Sequence, residues 1–163
     1  MDNSVIFLDD QINIKVENPP KVIISILAFV MIILGILPIF GTIILILNQE
    51  GLHFVLLMIY IVFWGSGFYL LRVVLWNIYG QEILILERNR IIYIADYKLF
   101  KDGKKELEID NLTSDIIAHP RNPKGKNKLL LKNNSSSLET VLDISKNEIE
   151  KIIEKINTCY NKS

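Results

Sequence analysis

The first half of the chain is dominated by two long apolar stretches. Residues 22–47 form 26 consecutive uncharged positions, and residues 52–71 form 20 more, after which the apolar run continues past Arg72. At about 1.5 Å per residue, each stretch would be long enough as a helix to cross the roughly 30 Å of hydrocarbon in a bilayer. The pattern predicts two transmembrane helices, over residues 22–47 and 52–74.

Two other interpretations fit these stretches less well. A cleaved signal peptide needs a basic segment before a shorter apolar core, whereas Asp2, Asp9, Asp10 and Glu17 precede residue 22. A core helix of a soluble domain does not usually extend over so many uncharged residues, and here two such stretches follow one another. Both helices are therefore expected to stay in the membrane.

The connection between the helices indicates their topology. Only residues 48–51 separate them, which predicts a tight antiparallel hairpin with both chain termini on one side of the membrane. The short loop has no basic residue, and the basic residues lie near the open end: Lys15, Lys21, Arg72, Arg88 and Arg90. Because basic flanks stay in the cytoplasm, we expect a multi-pass protein of the cytoplasmic (inner) membrane with both termini cytoplasmic.

Several residues of the second helix have an expected role at the membrane surface. Arg72, Trp76 and Tyr79 follow the apolar run, where a long cation and amphipathic rings favour the headgroup region. These three are predicted membrane-interface anchors.

Small or helix-breaking residues within the two stretches predict helix packing. Pro38 should kink the first helix because it lacks an amide proton. Gly65 and Gly67 give the second helix a surface that another backbone can approach closely, either within the hairpin or in a homo-oligomer. Asp, Glu, Lys and Arg do not occur in the middle of either stretch, which disfavours a transporter or channel.

Beyond residue 77 the hydrophobic period changes from helical to alternating. Six short strands are predicted, over residues 83–86, 91–94, 106–110, 114–118, 128–132 and 138–143. Glu87–Arg90 reads as a hairpin turn, and Asp102–Gly103 as the next turn. Ile12, Ile14 and Val16 alternate with polar residues and predict a seventh strand that pairs with the later sheet.

The chain ends in a predicted amphipathic helix over residues 146–159. Ser145 and Glu148 have the spacing of a capping box, and Ile149, Ile152 and Ile156 repeat at helical spacing. The predicted organisation is an N-terminal segment (1–21), a membrane hairpin (22–76) and an α+β domain (77–163). Its antiparallel sheet, or partly open barrel, has six to seven strands and one C-terminal helix.

The segment from Leu75 to Ile85, LWNIYGQEILI, leads from the second helix directly into a strand. With this order of elements, the chain resembles small bacterial membrane proteins that carry an N-terminal helical hairpin and a pleckstrin-homology-like domain. The resemblance implies a fold of up to seven antiparallel strands followed by one amphipathic helix. It implies no particular activity.

The charged and reactive residues favour no enzyme class. Eighteen basic and eighteen acidic residues balance, so the net charge does not indicate nucleic acid as a partner. Cys159 is the only cysteine, and His53 and His119 are too far apart in the expected topology to share a metal. Acidic residues are expected to face solvent from alternate strand positions. We expect no catalytic, cofactor or metal site.

One loop is strongly basic. Arg121, Lys124, Lys126 and Lys128 lie within residues 119–128, and the lysines that would lie near them are Lys98, Lys101, Lys104 and Lys105. A basic loop close to the cytoplasmic leaflet predicts contact with anionic lipid. The alternative is a solvated loop whose charges oppose aggregation.

Two functions fit the sequence. The first is a non-enzymatic binding or scaffold module, held at the cytoplasmic face by its hairpin. The second is a structural subunit that docks its hairpin into a larger membrane complex. The expected partners are the bilayer and either a protein partner or a second copy of the chain, bound through the hairpin, and the sheet of the binding module could also take a peptide or a lipid headgroup; no nucleic acid is expected.

Overall fold

The chain folds into two compact units, one of which interrupts the other in sequence. The computed structural model describes residues 2–17, 21–48, 54–118 and 126–160. One unit comprises Met1–Asn18 together with Tyr79–Ser163, and the other comprises Pro19–Ile78. The N-terminal segment therefore belongs with the C-terminal domain.

The inserted unit consists of helices α1 (Lys21–Leu47) and α2 (Phe54–Tyr79). Both are long and apolar enough to cross a membrane. In their most apolar windows, 6% of the residues of α1 and none of those of α2 are buried. Phe29, Phe54 and Phe68 are 60 to 68% exposed. A core helix of a soluble domain would bury such residues, whereas a helix that crosses a membrane exposes them to lipid.

The other unit is built from antiparallel strands and one helix. The strands are β1 (Asp2–Phe7), β2 (Gln11–Glu17), β3 (Gln81–Glu87), β4 (Arg90–Asp96), β5 (Lys101–Glu108), β6 (Thr113–Ala118), β7 (Lys126–Lys132), β8 (Ser137–Glu139) and β9 (Ile144–Ser145). The first five form one sheet in sequence order, and β6, β7 and β8 form a second sheet in which β9 also pairs with β7. The two sheets are not closed into a barrel.

The core contains aliphatic side chains from both sheets and from helix α3 (Lys146–Tyr160). Helix α3 contacts β6, β7 and β9. The largest fully buried side chains are Ile12, Ile14, Leu84, Ile91, Leu107, Leu129, Leu131, Leu138, Ile144, Ile149, Ile152 and Ile156. Burial of Ile12 and Ile14 confirms the strand predicted before the first helix, because β2 pairs antiparallel with β3.

The predicted capping box of the last helix is confirmed. The Ser145 amide and hydroxyl donate to Oε2 of Glu148, at 3.3 and 2.6 Å, and the Glu148 amide donates back to the Ser145 hydroxyl at 3.3 Å. These bonds satisfy donors that the first helical turn leaves free.

The helical hairpin is inserted between two strands that are hydrogen-bonded neighbours. Lys15 of β2 is paired with Gln81 of β3, and the Val16 amide donates to the carbonyl of Gly80 at 3.0 Å. Gly80 alone separates α2 from β3. The chain therefore leaves the sheet and returns to it at the same end, here called the junction end.

The strand prediction is wrong in two places within the described residues. A strand, β1, precedes the predicted N-terminal one, and the predicted strand over residues 138–143 is cut short: β8 ends at Glu139, residues 140–143 are not in a strand, and a separate short strand, β9, follows at Ile144–Ser145. The division occurs because the amides of Val141 and Leu142 donate to the carboxylate of Glu82 and are unavailable to a ladder. The described residues contain nine strands, against the expected six to seven.

The predicted turn at Asp102–Gly103 is also wrong, because both residues lie inside β5. Gly103 has a positive φ of 64°, and the register between β4 and β5 shifts between Tyr93 and Ala95, which is the geometry of a β-bulge. The turn occurs earlier, where the Tyr97 amide donates to the carbonyl of Phe100 at 3.0 Å.

Candidate functional site

The basic loop is only partly within the described residues. Arg121 and Lys124 lie outside them, and so does the side chain of Lys126. Lys128 lies in β7, where its ammonium forms an ion pair with Glu139 at 3.0 Å. Contact between this loop and anionic lipid stays a prediction. Of its four cations, Lys128 already has a carboxylate partner.

The predicted interface anchors lie at the end of α2. Arg72 and Trp76 are half-buried in its last two turns. Tyr79 is the final residue of the helix, 41% exposed, and the Lys98 ammonium lies 4.1 Å from the centre of its ring. His53 and His119 both lie outside the described residues.

The glycines of the hairpin have open space beside them. A Cβ added at Gly65 or Gly67 would meet no described atom within 4 Å, and the same holds for Gly35 in α1. Pro38 lies inside a continuous α1 and is the buried residue of that helix. One polar contact joins the helices near it, between the hydroxyls of Thr42 and Tyr60 at 2.8 Å.

An apolar groove of about 310 Å³ lies between the two helices. It is lined by Met31, Gly35, Phe63, Trp64, Gly67, Phe68 and Leu71. Because Gly35 and Gly67 have no side chains, they leave this part of the hairpin surface unfilled. Gly35 and Gly67 therefore line a groove on the hairpin, and a packing role for Gly65 and Gly67 stays a prediction.

A buried carboxylate, which sequence reasoning missed, connects the two sheets. Glu82 has no exposed surface. Its Oε1 accepts the hydroxyl of Tyr93 at 2.8 Å and the amides of Val141 and Leu142 at 2.5 and 3.3 Å. Three donors from β4 and from the segment between β8 and β9 thus converge on one oxygen of β3.

The expectation that acidic residues face solvent is therefore wrong for Glu82. Glu82, Leu84 and Leu86 alternate along β3, and all three are buried, with Glu82 and Leu84 at 0% exposure. This alternation could have predicted the burial of Glu82 from the sequence, because it places Glu82 on the same apolar face of the strand as Leu84 and Leu86. Two of the three donors to its Oε1, the amides of Val141 and Leu142, lie 59 and 60 residues later and had no local marker.

Burial changes the acidity of this cluster. Removal from water raises the pKa of Glu82 to about 7, against the opposing effect of the hydrogen bonds from Val141, Tyr93 and Leu142 and of the positive charge of Lys128. Burial and the neighbouring Glu82 also raise the pKa of Tyr93. Oε2 of Glu82 has no hydrogen-bond partner among the described residues. Because Oε1 accepts three hydrogen bonds, the proton of the neutral Glu82 carboxyl is placed on Oε2.

A carboxylate with a shifted pKa is common in catalytic sites. A catalytic role for Glu82 would also require that a substrate can reach it. Because Glu82 is completely covered, no substrate reaches it in this conformation. The arrangement instead holds the segment between β8 and β9 against the first sheet.

The end of the first sheet opposite to the junction end carries an exposed apolar patch. Phe7 pairs with Ile12 at the far end of β1, and the Leu8 amide donates to the carbonyl of Gln11 at 2.8 Å to close the β1–β2 turn. Ile6, Phe7 and Leu8 are 47, 39 and 49% exposed. These three residues are here called the distal patch, and the exposed carboxylates of Asp9 and Asp10 follow them.

A polar cleft of about 540 Å³ lies at the same end of this sheet. It is lined by Arg88, Asn89, Arg90, Glu108, Ile109, Asp110 and Tyr160. The Tyr160 hydroxyl donates to the Glu87 carbonyl at 2.9 Å, which ties the end of α3 to the β3–β4 turn. Arg90 is paired with Glu87 and Glu106, each at 2.7 Å.

Within the described ranges, three or more His, Cys, Asp or Glu residues nowhere cluster in a way that could hold a metal ion. No protein-family model, no curated protein and no solved structure matches this chain. The geometry of the two units is therefore the basis for any functional argument.

Proposed function

We propose that this protein is a non-enzymatic binding module that its helical hairpin anchors in the cytoplasmic membrane. The exposed apolar side chains of α1 and α2 support insertion of both helices. Insertion of the hairpin between the paired strands β2 and β3 supports a topology in which the hairpin begins and ends on one side of the membrane. Lys15, Lys21 and Arg72 near that end favour the cytoplasmic side.

The β unit is proposed to be a pleckstrin-homology-like domain. Two successive antiparallel sheets followed by one amphipathic helix support this assignment, since that family has the same order of elements. The additional strand β1 and the division of β8 from β9 are departures from the seven strands implied by the resemblance.

The distal patch is the observation that carries the binding function. Three consecutive large apolar residues, 39 to 49% exposed, form one continuous surface, whereas Leu99 and Val141, the other exposed aliphatic residues described in this domain, stand singly in the sequence. The patch lies at the end of the sheet opposite to the junction end, where a cytoplasmic protein can reach it. Asp9 and Asp10 favour a partner whose apolar surface is bordered by basic residues.

The sidedness can be tested with the single native cysteine. Cys159 is exposed near the end of α3. We expect a membrane-impermeant maleimide to label it only after the membrane is permeabilised, because the domain faces the cytoplasm. In the variant Asn48→Cys with Cys159→Ser, the loop cysteine should be labelled in intact cells. Labelling of Cys159 in intact cells would contradict the proposed topology.

Partner binding can be tested by affinity purification of the full chain after crosslinking in membranes. We expect the double variant Ile6→Thr with Leu8→Thr to lose a stoichiometric partner at least tenfold, because it removes apolar contact area and keeps β propensity. Val141→Thr is the matched control, since the Val141 side chain is also exposed but lies outside the distal patch. Equal retention by the double variant and the control would refute the role of the distal patch.

The groove in the hairpin favours a second candidate, a structural subunit of a larger membrane complex. A helix of another protein could fill the space beside Gly35 and Gly67. Gly67→Leu would place a side chain in that space, and the new Cβ would meet no atom of the described residues within 4 Å. Loss of the partner from Gly67→Leu, with retention by the distal-patch variant, would favour assembly over the binding module.

A further inference from the structure

The β4–β5 turn lies at the junction end of the first sheet. Asp96, the last residue of β4, pairs with Gln81, and Gln81 follows the single residue that links β3 to α2. The turn formed by residues 97–100 is therefore at the end of the sheet from which the chain passes into the helices.

This turn has a well-defined construction. Oδ1 of Asp96 accepts the amide of Lys98 at 2.7 Å, and the Tyr97 amide donates to the carbonyl of Phe100 at 3.0 Å. The rings of Tyr97 and Phe100 stack with their centres 4.7 Å apart. Lys98 has a positive φ of 73°, a conformation that these surrounding contacts stabilise.

The turn presents an apolar side chain between two cations. Leu99 is 73% exposed, the most exposed large apolar residue among those described in this unit. The Lys98 ammonium lies over the ring of Tyr79, at 4.1 Å. Lys101 is paired with Asp96 at 3.8 Å, and its side chain is 62% exposed. Asp96 and Asp102 are the nearby carboxylates, and Asp96 is mostly covered.

We propose that this turn is a lipid-binding element, in which Leu99 inserts at the boundary between headgroups and acyl chains while Lys98 and Lys101 bind anionic headgroups. The inference rests on the proposed membrane anchoring, because continuity of the sheet with α2 brings the junction end to the bilayer surface. Leucine beside lysine and tyrosine is the composition that favours this boundary. Each cation near an anionic leaflet increases binding roughly fivefold.

The test places an environment-sensitive fluorophore on single cysteines of the full chain in the Cys159→Ser background. The chain is reconstituted in nanodiscs of phosphatidylcholine with about one third phosphatidylglycerol, some of which contain nitroxide-labelled lipids as quenchers. Leu99→Cys reports on the turn, Leu8→Cys on the distal patch and Ile36→Cys on the middle of α1. We expect nitroxides near the headgroups to quench position 99 at least fivefold more than position 8.

A charge variant tests the role of the lysines. Lys98→Glu with Lys101→Glu, added to Leu99→Cys, should reduce quenching several-fold in anionic nanodiscs and much less in pure phosphatidylcholine. Quenching at position 36 by acyl-chain nitroxides, with position 99 no more quenched than position 8, would overturn the turn proposal while membrane anchoring stands. Absence of quenching at position 36 would overturn both. If the charge variant leaves quenching at position 99 unchanged, Lys98 and Lys101 do not bind anionic headgroups, and that part of the proposal is wrong.

Discussion

Replacement of Glu82 by alanine is expected to lower the free energy of unfolding by about 3 to 5 kcal/mol at pH 5. The substitution leaves the buried hydroxyl of Tyr93 and the amides of Val141 and Leu142 without their acceptor. Each buried donor without a partner costs about 1 to 3 kcal/mol, and loss of the buried methylenes adds a cavity term. Native-state hydrogen exchange of the full chain in detergent measures this change through the slowest amides of β3 and β7.

Two further variants make the result specific. Glu82→Gln keeps an oxygen for the three donors but introduces a buried amide donor, so it should cost about 1 to 3 kcal/mol. Glu106→Ala removes an exposed carboxylate paired with Lys104 and Arg90, and should change the free energy of unfolding by less than about 1 kcal/mol. The interpretation is wrong if Glu82→Ala is no more destabilising than Glu82→Gln at pH 5.

The second large effect that we expect is a decrease in the free energy of unfolding as the pH rises from about 4.5 to about 7. Burial raises the pKa of Glu82 from 4.5 in its ordinary range to about 7 in the folded chain. Between these values the unfolded chain has lost the proton and the folded chain keeps it, so rising pH favours unfolding. This decrease in the free energy of unfolding is absent below about pH 4.5, reaches about 3 kcal/mol near pH 7 and then levels off.

The measurement compares the pH dependence of the free energy of unfolding between the native chain and variants. In Glu82→Gln the decline over this window should disappear, because glutamine does not titrate. Glu106→Gln is the control, since the hydrogen bond from Lys104 holds the pKa of Glu106 below its usual value and its titration lies at lower pH. A decline of equal size in Glu82→Gln would show that another group is responsible.

Features encoded by neighbouring residues could be predicted from the sequence. The helices α1 and α2 follow from uninterrupted apolar composition, and the start of α3 follows from Ser145 and Glu148, three residues apart. The strand around Ile12 and Ile14 was predicted because alternation and the same-side termini both favoured it. In each case the interaction is local, or the periodicity alone decides the structure.

Features that depend on distant partners could not be predicted in this way. Glu82 is satisfied by amides 59 and 60 residues later, and the same contact divides β8 from β9. The β4–β5 turn is formed where the Asp96 carboxylate accepts the Lys98 amide, while the stronger local turn pattern at Asp102–Gly103 becomes a bulge. Its exposed Leu99 had no marker in the sequence, because exposure is a property of the assembled sheet.

The insertion of the hairpin between β2 and β3 has a consequence for biosynthesis. Strand β2 is made before both helices and β3 after them, yet Ile12 and Ile14 are fully buried only when the two strands pair. During translation, β2 therefore lacks its partner β3 until both helices have been synthesised and the end of α2 lies next to the start of α1. A chain whose second helix failed to return would leave β2 without β3, and the two isoleucines without the strand that helps to cover them.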